Sequence, residues 1–254
     1  MAALTLGIAF LVAPASAPHT AAQGSPAIGI DADPQGNGPN ALAGVDSCIS
    51  VATNERFDID VFIRDVDELL AWEIYVEYDP ELIEIVGRDV QMFLASNPGS
   101  TVLDVSNRLP SRDGLYRAAA ADTADPPAPD SGSGSLFRLT LKALAPGKGP
   151  VQVAVRDLDG DGDADIGPLL RNVDGDVIGD TDGNALFDGP IQAADVAVDT
   201  DCPEPPPTPT PSHSSDGDSV SPTLIGIVAT GGALLLLVSG FALRRLRRRR
   251  KPAE

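Results

Sequence analysis

Along residues 71–86, A-W-E-I-Y-V-E-Y-D-P-E-L-I-E-I-V, the positions Trp72, Ile74, Val76 and Tyr78 alternate with Glu73, Tyr75 and Glu77. A two-residue period predicts a strand with one face in a core and the other in water. Asp79-Pro80 stops it, because proline has no N–H and biases its predecessor away from helix. A second apolar run then occupies 82–86. Alternation recurs at Phe57, Ile59, Val61 and Ile63, with Asp58, Asp60 and Arg64 opposite, then at Phe137, Leu139, Leu141 and Ala143, and again at Val151, Val153 and Val155. Further strands are predicted over 27–33, 114–123 and 193–198, while 89–95 reads equally as strand or helical turn. Short alternating strands between Gly/Pro turns, with no long helical pattern before the last thirty or so residues, predict an all-β sandwich.

Two uncharged apolar stretches lie outside this pattern. Residues 1–22 have the small, apolar composition of a secretory signal peptide, and cleavage after Ala22 suits better than after Ala17, where Pro18 would come next. Residues 224–243 form a twenty-residue uncharged run followed at once by R-R-L-R-R-R-R-K. A transmembrane helix of that length crosses the roughly 30 Å hydrocarbon layer, and clustered arginine marks its cytoplasmic side. A cell-wall sorting signal has a similar tail but carries L-P-x-T-G, which S-V-S-P-T does not match. The expected product is secreted across the cell membrane and anchored in it. It has an extracellular domain at 27–201, a Pro/Ser/Thr-rich stalk at 202–222 and a basic cytoplasmic tail at 244–254.

Charge narrows the partners. Of 18 Lys and Arg, seven lie in the tail, whereas 36 of the 37 Asp and Glu lie before it. So acidic an exterior repels phosphate backbones, which argues against nucleic acid. The only histidines, His19 and His213, fall in the signal and the stalk. The domain therefore offers no imidazole for a triad or a zinc site, and a non-enzymatic role is expected. Cys48 and Cys202 bracket the sandwich; outside the cell an even count at the two ends of a domain points to a disulfide, the alternative being two free thiols.

The densest motif is D-L-D-G-D-G-D-A-D over 157–165. Asp157, Asp159 and Asp161 hold positions one, three and five of a calcium loop, Gly162 the turn position six, and Asp163 and Asp165 positions seven and nine. Carboxylates converging in a tight loop repel one another unless a hard cation with six to eight oxygen ligands neutralises them. Position twelve is Pro168 rather than a bidentate Glu, so this is not a standard EF-hand. A second copy over 180–188 keeps Asp180, Asp182, Asn184 and Asp188 at positions one, three, five and nine, with Ala185 where glycine is wanted. Structural Ca2+ is the expected cofactor, ordering the connection between the last strands.

The succession W-E-I-Y-V-E-Y-D-P-E-L-I-E-I-V, D-G-L-Y-R-A-A-A-A-D and G-S-G-S-L-F-R-L-T-L-K-A resembles a cohesin domain, the module of bacterial cellulosomal scaffoldins, over roughly 27–199. The resemblance implies a jelly-roll β-sandwich of about nine strands, no catalysis, and docking of a dockerin-like protein module on one sheet face. Residues Glu73, Tyr75 and Glu77 are the candidate binding face on the solvated side of the central strand. The competing expectation, shared by related carbohydrate-binding modules, is attachment to extracellular polysaccharide. That role needs a strip of aromatic rings, of which Tyr75 is one.

Overall fold

The computed structural model describes residues 24–204. The expected signal peptide, the expected stalk beyond 204, the expected membrane span and the basic tail lie outside the described residues. Among the described residues no helix is long and apolar enough to cross a membrane.

Eleven strands and one 3-10 turn, Phe93–Ala95, make up this region. The strands are β1 (Ala27–Asp31), β2 (Cys48–Val51), β3 (Arg56–Glu77), β4 (Ile83–Asp89), β5 (Val102–Asp104), β6 (Leu115–Asp122), β7 (Asp130–Ala143), β8 (Gly147–Val153), β9 (Leu169–Asn172), β10 (Ile191–Gln192) and β11 (Ala194–Val198). The all-β reading holds, with more strands than the nine or so the resemblance implies. The excess comes from short pieces such as β5, β9 and β10, too brief to show alternation. Residues 89–95 resolve into the end of β4 and the 3-10 turn, and β8 stops at Val153, leaving Val155 53% exposed.

The two alternating runs at 57–63 and 71–78 belong almost entirely to one strand, β3, which takes part in both layers. Its first half pairs with β7 on one side and β1 on the other; its second half pairs with β6 on one side and with β9 and β8 on the other. The β4–β7 and β1–β10 pairs widen the first layer, and β5–β6, β8–β11 and β11–β2 widen the second. The crossover is a pair of register shifts between Ile63 and Leu69, where Asp65 and Glu68 take φ of 52° and 49°. Bulges of this kind bend a strand and let it leave one sheet for the other.

One core fills the space between the layers. Ile59, Val61 and Ile63 meet Ile74, Val76 and Tyr116 there, all fully buried. The Trp72 ring of the second layer stacks on the Phe137 ring of the first, with centroids 4.7 Å apart and planes 9° from parallel. Tyr78 is buried as the alternation requires, and its hydroxyl shares a 2.9 Å hydrogen bond with that of Ser111. Cys48 and Cys202 form a disulfide that ties β2 to the residues just after β11, across 154 positions of sequence.

Candidate functional site

Two features stand out: the paired acidic loops and the outer surface of the second layer. The loops share one backbone. In the first, Asp157 accepts the N–H groups of Gly160 and Gly162 at 2.6 and 2.9 Å; in the second, Asp180 accepts those of Gly183 and Ala185 at 2.7 and 3.2 Å. Asp159 and Asp182 each accept the N–H two residues on, as do Asp161 and Asn184. Asp165 accepts Leu158 N–H at 2.7 Å, and Asp188 accepts Thr181 N–H at 2.6 Å. Every one of these pairs is offset by 23 residues.

Ala185 adopts φ +68°, where Gly162 has +98°. The residue that departs from the motif still takes the left-handed conformation that glycine adopts without strain. The second loop is also pinned to the core. Phe187 is buried, and a Cβ built on Gly179 or Gly189 would overlap its ring at 2.5 and 2.2 Å.

In each loop three carboxylates converge. Asp157, Asp159 and Asp165 each offer an oxygen within 4.8 Å of the others, and so do Asp180, Asp182 and Asp188. Their all-oxygen chemistry suits a hard divalent cation. Asp161 and Asp163 fall outside the first trio; Asp161 is engaged with the N–H of Asp163, as Asn184 is with that of Leu186. The N–H groups of Gly160 and Gly162 hold the Asp157 carboxyl below the usual range, and Thr181 does the same for Asp188. Both carboxylates are therefore ionised in all but strongly acidic solution.

The loops flank β9, which pairs with β3 at Leu69–Glu73 just beyond the point where β8 leaves it. They thus frame one edge of the surface carrying Glu73, Tyr75 and Glu77. These three side chains are half-buried on the outer side of β3. Arg117 pairs with Glu73 and Arg156 with Glu77. The Arg117 guanidinium holds the Glu73 carboxyl below its usual range, while burial and the adjacent Glu73 push the Tyr75 phenol up.

Register extends the surface beyond these residues. Ala71 lies opposite Ala121, which lies opposite Leu103; Glu73 lies opposite Ala119 and Leu169. Val105, whose N–H bonds to Ala119, continues the row. Leu103 and Val105 are 51% and 46% exposed. Sequence reasoning missed both because β5 is too short to alternate, although an apolar pair in a polar loop was the available signal. The five phenylalanines among the described residues, with Trp72, Tyr78 and Tyr116, are all buried, so Tyr75 is the one partly exposed ring there.

No protein-family model matches the chain, and no curated protein matches it. Among solved structures it is similar to a chain of a type I cohesin–dockerin complex from Clostridium thermocellum, with 12% identity, 69% of this chain and 99% of that one covered, and a TM-score of 0.45. A non-cellulosomal cohesin from Archaeoglobus fulgidus gives 12% identity, 70% and 93% coverage and a TM-score of 0.43. A type III cohesin module from a cell-surface anchoring scaffoldin of Ruminococcus flavefaciens gives 17%, 69% and 88%, and 0.44.

Proposed function

We propose that this chain is a non-catalytic binding module held at the cell surface, and that the outer face of β5, β6, β3 and β9 docks a dockerin-type protein module. The observation that carries this reading is the make-up of the face. Exposed Leu103 and Val105 adjoin the small, partly exposed side chains Ala71 and Ala121, with the Glu73–Arg117 ion pair beside them. Aliphatic area next to a charged pair whose members retain solvent contact suits a protein surface, where apolar contact supplies affinity and charge sets orientation. The sequence resemblance to cohesins supports the same partner.

Polysaccharide attachment is the competing role, and Tyr75 is the observation in its favour. A single partly exposed ring is a small platform, because stacking sugars along a sheet calls for several. Within our reading, Ca2+ in the loops at 157–165 and 180–188 orders β9 and with it one edge of the docking face. Display on a stalk would serve assemblies that degrade polysaccharide outside the cell. Capture of dockerin-bearing proteins, run beside a glycan array on the same full chain, separates the two roles. Dockerin capture without glycan binding is expected, and the reverse pattern would reject protein docking.

A further inference from the structure

β5 is an edge strand. Among the described residues it pairs with β6 alone, and bonds from Thr123 N–H to the Thr101 carbonyl, from Val105 N–H to Ala119 and from Asn107 N–H to Arg117 continue that pairing past its ends. These bonds fall on odd-numbered residues of the segment 101–107. In an antiparallel ladder the residues between them direct N–H and C=O to the opposite side, so those of Val102, Asp104 and Ser106 face out from the sheet edge. The Ser106 N–H turns onto the Asp104 carboxylate at 2.9 Å, which leaves the N–H groups of Val102 and Asp104. Other edges are covered. β4 exchanges backbone bonds with Ser111 at Ile85, and β2 is strapped by the disulfide and by Cys202 N–H on the Ser50 hydroxyl at 3.0 Å. Lysine and proline, which commonly blunt an exposed edge, do not occur in 101–107.

The side chains along this edge make it complementary to itself. Leu103 and Val105 are 51% and 46% exposed on the outer face, while Asp104, on the other side of the strand, is ion-paired with Arg88 at 2.7 Å. Let a second β5 run antiparallel with the two-fold axis at Asp104. The two Asp104 residues then exchange N–H and C=O, and each Val102 N–H reaches the Ser106 carbonyl of the other copy. Leu103 of one copy stands opposite Val105 of the other, twice over. Like charges directly opposite destabilise a sheet, but each Asp104 arrives with its own Arg88, so ion pairs meet and not bare carboxylates. The acidic loops flank β9, on the far side of β3 from β5, and stay away from the contact. So short an edge buries less than the roughly 800 Å2 per partner of a stable complex, so the association is weak in solution. Copies displayed side by side, as proposed above, meet at a much higher effective concentration.

We propose that two copies of this chain associate edge to edge through β5, antiparallel about Asp104, so that their second layers form one continuous sheet. The association needs no docked partner. The test is disulfide trapping, because Cys48 and Cys202 are bridged and an introduced cysteine is the one free thiol among the described residues. Full chains carrying Leu103→Cys and Val105→Cys are treated with a mild oxidant, separately and as a mixture, in detergent solution at about 100 μM, where even a weak complex is trapped as it forms. In the proposed register residues 103 and 105 of opposite copies have Cα atoms about 4.5 Å apart, whereas like residues stand about 7–8 Å apart, beyond easy bridging. The mixture should therefore cross-link about tenfold faster than either variant alone. Adding Asp104→Pro to both chains should abolish that excess, since it removes the central N–H from an edge where proline itself is tolerated. The comparison of mixture with single variants stays decisive if the proline variant does not fold. No cross-linking, equal rates in the mixture and the single variants, or an excess that survives Asp104→Pro in a folded chain would overturn the proposal and leave this edge to another occupant or none.

Discussion

Asp157 and Asp180 occupy the same place in two loops 23 residues apart, each accepting the backbone N–H groups three and five residues further on. In each loop two more carboxylates stand within 4.8 Å of it. Such trios repel until a cation joins them, so calcium should favour the folded state. The melting temperature of the full chain is expected to rise by several degrees in millimolar CaCl2 and fall back with chelator. Asp157→Asn and Asp180→Asn should each reduce the rise, and an unchanged midpoint would exclude calcium from both loops.

Acid should dismantle the same loops. The Asp157 and Asp188 carboxyls titrate below their usual value because backbone N–H groups favour the charged form. A carboxyl depressed on folding adds stability that is present above its unfolded pKa and is lost as pH falls through the folded one. In metal-free buffer the loop amides should therefore stay protected from hydrogen exchange down to about pH 4 and lose protection below it. Loss of protection already at pH 6 would contradict these hydrogen bonds.

Ala185 is the sequence's departure from its own motif and the clearest place to improve it. At φ +68° an alanine is strained by about 1 kcal/mol relative to glycine, less the entropy glycine adds to the unfolded chain. Ala185→Gly is expected to be neutral or to stabilise by up to about 1 kcal/mol, and to tighten calcium in the second loop. The mirror change, Gly162→Ala, should destabilise the first loop by a similar amount. Denaturant titration of both variants, with and without calcium, reads the two effects.

These loops also show how far the sequence could be read. Alternation located the long strands because a half-buried sheet imposes a period of two, as at Trp72 to Tyr78. It could not reveal that 57–63 and 71–78 share one strand, since the join at Asp65 and Glu68 depends on register shifts stabilised by pairing with β7 and β9. The calcium-type spacing was legible residue by residue, yet only Asp157, Asp159 and Asp165 of the five acids converge, since which carboxylates meet depends on how the loop closes and not on spacing alone. On the proposed docking surface Glu73, Tyr75 and Glu77 were visible from alternation, whereas Leu103 and Val105 reach that face only through pairing with β6. The partners Arg117 and Arg156 arrive from distant sequence, which no local pattern records.

The Cys48–Cys202 bond closes a very long loop, and in the chain-entropy model such a crosslink contributes about 4–5 kcal/mol by restricting the unfolded chain. Reduction should move the denaturation midpoint to markedly lower denaturant. The single tryptophan, Trp72, lies in the core and provides the fluorescence signal. Coincident curves with and without reductant would contradict a stabilising role for the bond.

The docking face is tested most directly by the affinity of the full chain for dockerin-bearing proteins, measured beside variants that change only its outer residues. Leu103→Asp and Tyr75→Ala, both expected to keep the fold because these side chains lie outside the core, should each weaken capture at least tenfold, and Arg117→Glu should weaken it by reversing one charge beside Glu73. Dockerin binding that is absent, or equally strong in all three variants, would contradict the assignment of this face.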